Sequence, residues 1–176
     1  RENRRGGDNA RARTGLIGFV AVLSALLVVV HPNPMASVLY LILNLFCVAL
    51  FYLMLQAQFL AALQVIIYAG AIMVLFLFVV MLLDLGHELP VWLQRDRPRF
   101  LLGIGVALLL LVELAIPIGF RTPHGPQGPY TSELVGAVGN TQLVGRLLFT
   151  EFLIPFEITS IILLIAIIGV MVLARR

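Results

Sequence analysis

The chain has no lysine, a single cysteine and little charge of either sign. All twelve of its cationic residues are arginine, set against nine acidic ones, so charged residues make up 12% of 176 and the net charge is +3. Soluble domains are about 25% charged and 45–50% apolar, whereas this chain is 61% hydrophobic with a mean hydropathy of +1.05. The shortage of charge excludes a water-soluble globule, and the apolar excess excludes disorder. Five arginines precede residue 14; the basic excess is a flank and not the basic, aromatic-laced face that nucleic-acid binding needs. The lone Cys47 excludes an intrachain disulfide and any iron–sulfur or multi-cysteine metal site built by this chain alone. Gly103-Ile104-Gly105 opens no GxGxxG motif and follows no strand, which removes a nicotinamide or flavin site. No P-loop and no nucleophile–base pair is present. What remains is an all-α, polytopic membrane protein that performs no bond chemistry by itself.

Five apolar runs supply the spans. Residues 15–30, 35–55 and 59–83 are uncharged, 101–120 is interrupted only by Glu113, and 155–174 only by Glu157. Such lengths fit helices crossing a hydrocarbon core of about 30 Å. The ten-residue alternation of β-barrel strands is missing. The domain layout is a polar, Arg-rich amino terminus over 1–13 and a five-helix membrane domain over 14–176. The Arg-rich start and first apolar run have the form of a signal peptide, but more membrane helices follow rather than a soluble domain, so the segment is expected to stay. His31-Pro32-Asn33-Pro34 breaks the chain between the first two helices. The short Gln56-Ala57-Gln58 turn makes the second and third antiparallel neighbours. Counting arginines leaves the orientation open: the amino terminus with Arg121 and Arg146 gives seven, against five for the third loop with Arg175 and Arg176, and omitting residues 1–13 reverses the order.

Polar residues within the spans are few. The second helix carries Ser37, Tyr40, Asn44 and Cys47 on one stripe. The third carries Gln64 and Tyr68 at i and i+4, with Ala61 and Ala71 on that stripe and Ala62, Ala69 and Gly70 facing elsewhere. Small residues on several sides imply protein neighbours on several sides. Interhelical hydrogen bonding is one reading of these polar groups; a polar path for water or protons is the other. The third run would extend about 37 Å at 1.5 Å per residue, longer than the core, and a bend is expected at Tyr68-Ala69-Gly70-Ala71, because Gly weakens a helix and kinks coincide with Gly or π-bulges. Glu113, near the middle of the fourth helix, needs a partner, a proton or a hydrated cleft. Pro155 suits the first position of the fifth helix, which would place Glu157 in its first turn at the favourable dipole end. Asp84, His87 and Glu88 have helical spacing for a metal but read as surface polarity, and His31 and His124 lie alone in loops.

The run FLAALQVIIYAGAIMVLFLFVVMLL, Phe59–Leu83, resembles the third helix of the subunit J family of bacterial NADH:quinone oxidoreductase, respiratory complex I, also known as the subunit 6 family. SVLYLILNLFCVALFYLMLQAQFLAALQ before it and VGRLLFTEFLIPFEITSIILLIAIIGVMVLARR at the carboxyl end are similar to the family's second and fifth helices. Together they cover well over half of the chain in the family's order. The termini, both longer loops and the fourth helix carry little of the likeness, and Glu113 is no part of it.

The resemblance implies a membrane-arm subunit of a proton-translocating complex, packed beside subunits H, A and K near the antiporter-like subunits. FMN, iron–sulfur clusters and the NADH site belong to partner subunits, and quinone is met only through the assembled complex. It implies a π-bulge in the third helix whose conversion to regular helix gates a hydrated path. The residues carried over are Tyr68, Ala69, Gly70, Ala71, Ile72, Val74, Leu75 and Phe76, with Glu157 in the fifth helix; Gln64, Asn44, Tyr40 and Glu113 join as polar positions of a proton path. It places the chain in the bacterial inner membrane with the third loop and carboxyl end cytoplasmic. Two alternatives stay open, a homologous subunit in a ferredoxin- or F420-linked or plastoquinone-reducing complex, and a stand-alone ion transporter; a purely structural spacer is a third. The full chain purified alone in mild detergent is expected to oxidise no NADH and to show no flavin or iron absorbance. NADH oxidation by that preparation contradicts the reading.

Overall fold

The computed structural model describes residues 2–83, 97–120 and 128–175. Helix α1 runs Glu2–Val30 and α2 Pro34–Met54. Helix α3 is continuous over Gln58–Leu82, and α4 covers Arg97–Phe120. Two short helices, α5 (Ser132–Val138) and α6 (Asn140–Phe149), precede α7 (Leu153–Ala174). The described residues contain no strand. Four helical stretches are long and apolar enough to cross a membrane, Asn9–Val30, Pro34–Met54, Gln58–Leu82 and Leu153–Ala174, and Leu101–Ile116 within α4 adds a shorter apolar segment. Each expected span thus falls on a helix. The starts differ most: α1 reaches back through the polar start to Glu2, α4 begins at Arg97 rather than at residue 101, and α7 at Leu153 rather than at 155. Asp84, His87, Glu88 and His124 lie outside the described residues.

The turns explain the hairpins. Asn33 caps α2, its Oδ1 accepting the Met35 N–H at 2.9 Å, and Pro34 occupies the first helical position, where a missing N–H costs nothing. At the other end of α2 the Ala57 N–H donates to Tyr52 O at 2.9 Å and the Gln56 N–H to Leu53 O at 3.0 Å. This double closure is the Schellman arrangement, which needs a left-handed residue just past the helix, commonly Gly. Here the residue is Gln56, at φ 60°. The turn is tight enough to lay α3 directly back along α2.

Packing follows the small side chains. Helix α2 lies between α1 and α3, all three parts of α3 pack on it, and α6 packs on Gln58–Leu63, on α5 and on α7. Among the described residues α4 touches no other helix. The buried side chains are Ser24, Val38, Cys47, Ala49, Ala61, Gln64, Ala69 and Leu143, and most of them are small. Lipid tails are as apolar as leucine, so helices in a bilayer associate by close approach at small residues rather than by hydrophobic exclusion. Leu101–Ile116 and Glu151–Arg175 are exposed throughout, which suits helices bordered by lipid or by other proteins.

A left-handed conformation costs an L-residue on the order of 1 kcal/mol. In SDS titrations of the full chain in mixed micelles, Gln56→Gly is expected to stabilise by about 0.5–1 kcal/mol, and Gln56→Val to destabilise by a similar amount. Equal midpoints for all three proteins contradict the account of this turn.

Candidate functional site

Helix α3 changes its winding in mid-span. Gln58–Leu63 is α-helical, Gln64–Ile72 is π-helical, and Met73–Leu82 is α-helical again. A π-turn closes i→i+5 bonds in place of i→i+4, so the face turned toward α2 advances by an extra residue. Along that face Ala61, Gln64 and Ala69 are buried, and Met73, Leu77 and Val80 are half-buried. Between the fully buried Gln64 and Ala69 the step is five residues, with half-buried Val65 between them. Gln64 is 8% exposed and Ala69 5%, whereas Tyr68 is 51% exposed.

This corrects the expected stripe. Ala61 and Gln64 share a face as the spacing required, but Tyr68 and Ala71 are exposed, and Ala69 with half-buried Gly70 takes their place against α2. The expectation assumed 3.6 residues per turn through a segment that does not have them. Ile72, Val74, Leu75 and Phe76 are exposed on the far side of the segment. The anticipated Tyr68–Ala71 irregularity is thus real, but it extends from Gln64 to Ile72.

Gly70 is the one glycine of the π-helical segment. A Cβ built on it lies 3.2 Å from the Val65 carbonyl oxygen, five residues back. A Cβ there is accommodated only if that carbonyl gives by a few tenths of an ångström. In a regular helix Ala is instead favoured over Gly by roughly 0.5–1 kcal/mol. That preference favours regular winding in a substituted α3.

The polar groups of α2 face α1. Asn44 Nδ2 donates to Ala21 O at 2.7 Å and to Ser24 Oγ at 3.2 Å, and Ser24 Oγ donates to Ala21 O at 2.9 Å. Ser24 is 1% exposed. Tyr40 lies farther along the same stripe with its ring 5.7 Å from that of His31, and Ser37 Oγ donates to His31 O at 3.3 Å. Interhelical bonding is what the structure shows for Asn44. Sequence reading passed over Ser24, although it is the one polar side chain in 15–30. It also passed over Asn140, whose Oδ1 accepts the Phe59 N–H at 3.1 Å from 81 residues away; no local pattern announces that pairing.

The two carboxylates stand apart from these groups. Glu113 is exposed on α4. Helix α7 begins at Leu153, so Pro155 is its third residue and Glu157 its fifth, with no acidic residue in the first turn. The expected first-turn placement is therefore corrected, and the dipole effect, which fades beyond that turn, does little for Glu157. Pro155 is accommodated because N–H groups of a first turn are unpaired in any case. Thr159 Oγ1 and Ser160 Oγ donate back to Pro155 O and Glu157 O at 2.8 and 2.6 Å, which satisfies both hydroxyls within the helix. Among the described residues no group of three His, Cys, Asp or Glu could hold a metal.

The family model for NADH-ubiquinone/plastoquinone oxidoreductase chain 6 matches residues 24–173, which include α2, all of α3 and nearly all of α7. The chain belongs to that family. NADH-quinone oxidoreductase subunit J of Pseudomonas aeruginosa is 40% identical over 162 residues, covering 89% of this chain and 92% of the relative. The subunit J proteins of Rickettsia bellii and Rickettsia typhi are 36% and 34% identical, each over 92% of this chain and 78% of the relative. The likeness read from Phe59–Leu83 is thereby shown for most of the chain, and this complex I chain 6 family member is a membrane protein.

Polar interactions inside bilayers contribute about 0.6 kcal/mol each on average. Asn44→Ala removes two donors from the α1–α2 contact and leaves Ser24 bonded to Ala21. SDS titration of the full chain is expected to show a loss of about 1 kcal/mol. An unchanged midpoint means that the Asn44 bonds do not hold α1 to α2.

Proposed function

We propose that the chain is a membrane-arm subunit of a proton-translocating NADH:quinone oxidoreductase, and that the π-helical segment of α3 couples quinone reduction to proton movement. Family membership and the names of its relatives support the first half. The observation that carries the second is the π-helical winding of Gln64–Ile72 in mid-span, where fully buried positions step five residues from Gln64 to Ala69 and a Cβ on Gly70 would stand 3.2 Å from Val65 O. Removing the bulge turns everything beyond it by about 100°, the angle of one residue at 3.6 per turn. Tyr68, Ile72, Leu75 or Phe76, and Val79 then replace Ala69, Met73, Leu77 and Val80 against α2. An apolar plug and a tyrosine hydroxyl thus move together, which is what a gate on a hydrated path requires.

The chain contributes no redox chemistry of its own. FMN, iron–sulfur clusters and the NADH site reside in partner subunits, and the quinone acts through its bias on a two-state element. The neighbours are the other membrane subunits, H, A, K and the antiporter-like chains, which border the exposed faces of α4 and α7. Gln64, Asn44, Tyr40, Glu113 and Glu157 serve as polar positions of the proton path only where those neighbours bridge them, since they lie on separate faces and helices of this chain. The complex sits in the bacterial inner membrane with the third loop and carboxyl end cytoplasmic.

Each 1.4 kcal/mol placed against one state lowers its population about tenfold. In the assembled complex, Gly70→Val is expected to leave assembly and NADH oxidation by artificial acceptors intact. Quinone-linked turnover or protons moved per NADH should fall several-fold, with Gly70→Ala intermediate. An assembled Gly70→Val complex that turns over and pumps like the parent means that α3 only packs.

A further inference from the structure

Helix α3 starts without a cap of its own. Its N-cap residue is Ala57, which makes no side-chain cap bond, while the opening N–H groups of any helix lack partners inside it. The acceptor is supplied from beyond the third and fourth spans: Asn140 Oδ1 takes the Phe59 N–H at 3.1 Å. Three features hold it there. Gly139 turns the chain at φ 93° and ψ 135°, a conformation L side chains rarely adopt, and since a Cβ at this position meets nothing within 4 Å, the demand for glycine is one of backbone alone. Leu143, one turn along α6 on the face of Asn140, is 8% exposed where α6 packs on its neighbours. At the far end of α6, the Phe149 ring meets Phe156 of α7 edge-on with centroids 5.1 Å apart.

Among the described residues the two flanks of the π segment are therefore held unequally. Gln58–Leu63 is gripped by α2 through the Gln56 turn and by α6 through Asn140. Met73–Leu82 packs on α2 and on no other described helix. A bulge that forms or disappears sets only the relative rotation of its flanks; which flank moves depends on which is fastened.

We propose that Asn140 is a positioning residue for coupling: its distant cap fastens the amino-terminal flank of α3, so that loss of the bulge turns Met73–Leu82. The inference rests on the gating role proposed above. The test measures protons moved per NADH in vesicles, using the assembled complex with assembly scored on native gels. Asn140→Ala should lower that ratio at least twofold in the complex that assembles. Asn140→Asp, whose carboxylate accepts the same N–H, should restore it. Asn140→Gln, which displaces the amide by one methylene, should fall between them and serves where Asn140→Ala assembles poorly. A cap that is merely structural reduces the amount of complex and leaves the ratio of the remainder unchanged; that result overturns the proposal, as does an Asp variant no better than Ala. If Gly70→Val uncouples and Asn140→Ala does not, the fastening is wrong and the gate stands. If neither uncouples, the gate fails and the fastening with it.

Discussion

A helix inside a bilayer must satisfy its own backbone, because no water is at hand to do so. Helix α3 shifts its register without breaking that rule: the π-winding of Gln64–Ile72 exchanges i→i+4 bonds for i→i+5 bonds and leaves the ladder closed. The rest of the arrangement depends on this constraint. Under the proposed gating, bulged and regular windings of α3 would differ chiefly in packing and local strain, because the backbone stays paired in both. On that proposal Gly70 lies where the balance is set, since a Cβ on it would stand 3.2 Å from the Val65 carbonyl oxygen.

The packing around the segment follows the same economy. Helix α2 meets α3 through Ala61 and Ala69 and carries buried Cys47 and Ala49, so backbones approach closely and few long side chains interlock. An interface of that kind permits rotation at modest cost, whereas interdigitated large side chains would resist it. The opposite side of α2 is fastened to α1 by the Asn44–Ser24–Ala21 bonds, which steadies the surface that α3 packs on. Among the described residues little core lies outside this three-helix unit. Helices α4 and α7 are exposed along their described lengths and depend on lipid or other proteins to cover them.

Length and apolarity are properties of composition, and for that reason all five spans were legible in the sequence, as were the break at His31–Pro34 before α2 and the tight turn before α3. An irregularity near Tyr68–Ala71 was legible too, from Gly70 and the excess length of the run. Its consequence was not: periodicity assigns faces by assuming one winding, so Tyr68 and Ala71 were set on the buried stripe that Ala69 and Gly70 occupy. The start of α7 escaped by two residues because Pro155 is tolerated anywhere in a first turn, which moved Glu157 out of reach of the helix end. Asn140 was invisible for a different reason. Its partner is a backbone N–H in a distant helix, and a backbone group leaves no signature in the residue that carries it.

The most direct test of the account is to determine the structure of the assembled complex at rest and during turnover and to read which residue faces α2 at the π segment. The account predicts two populations, one with Ala69 against α2 and Gln64–Ile72 π-helical, the other with Tyr68 in that place and α3 regular throughout. Ala69 facing α2 in every particle of a complex turning over at full rate would contradict it.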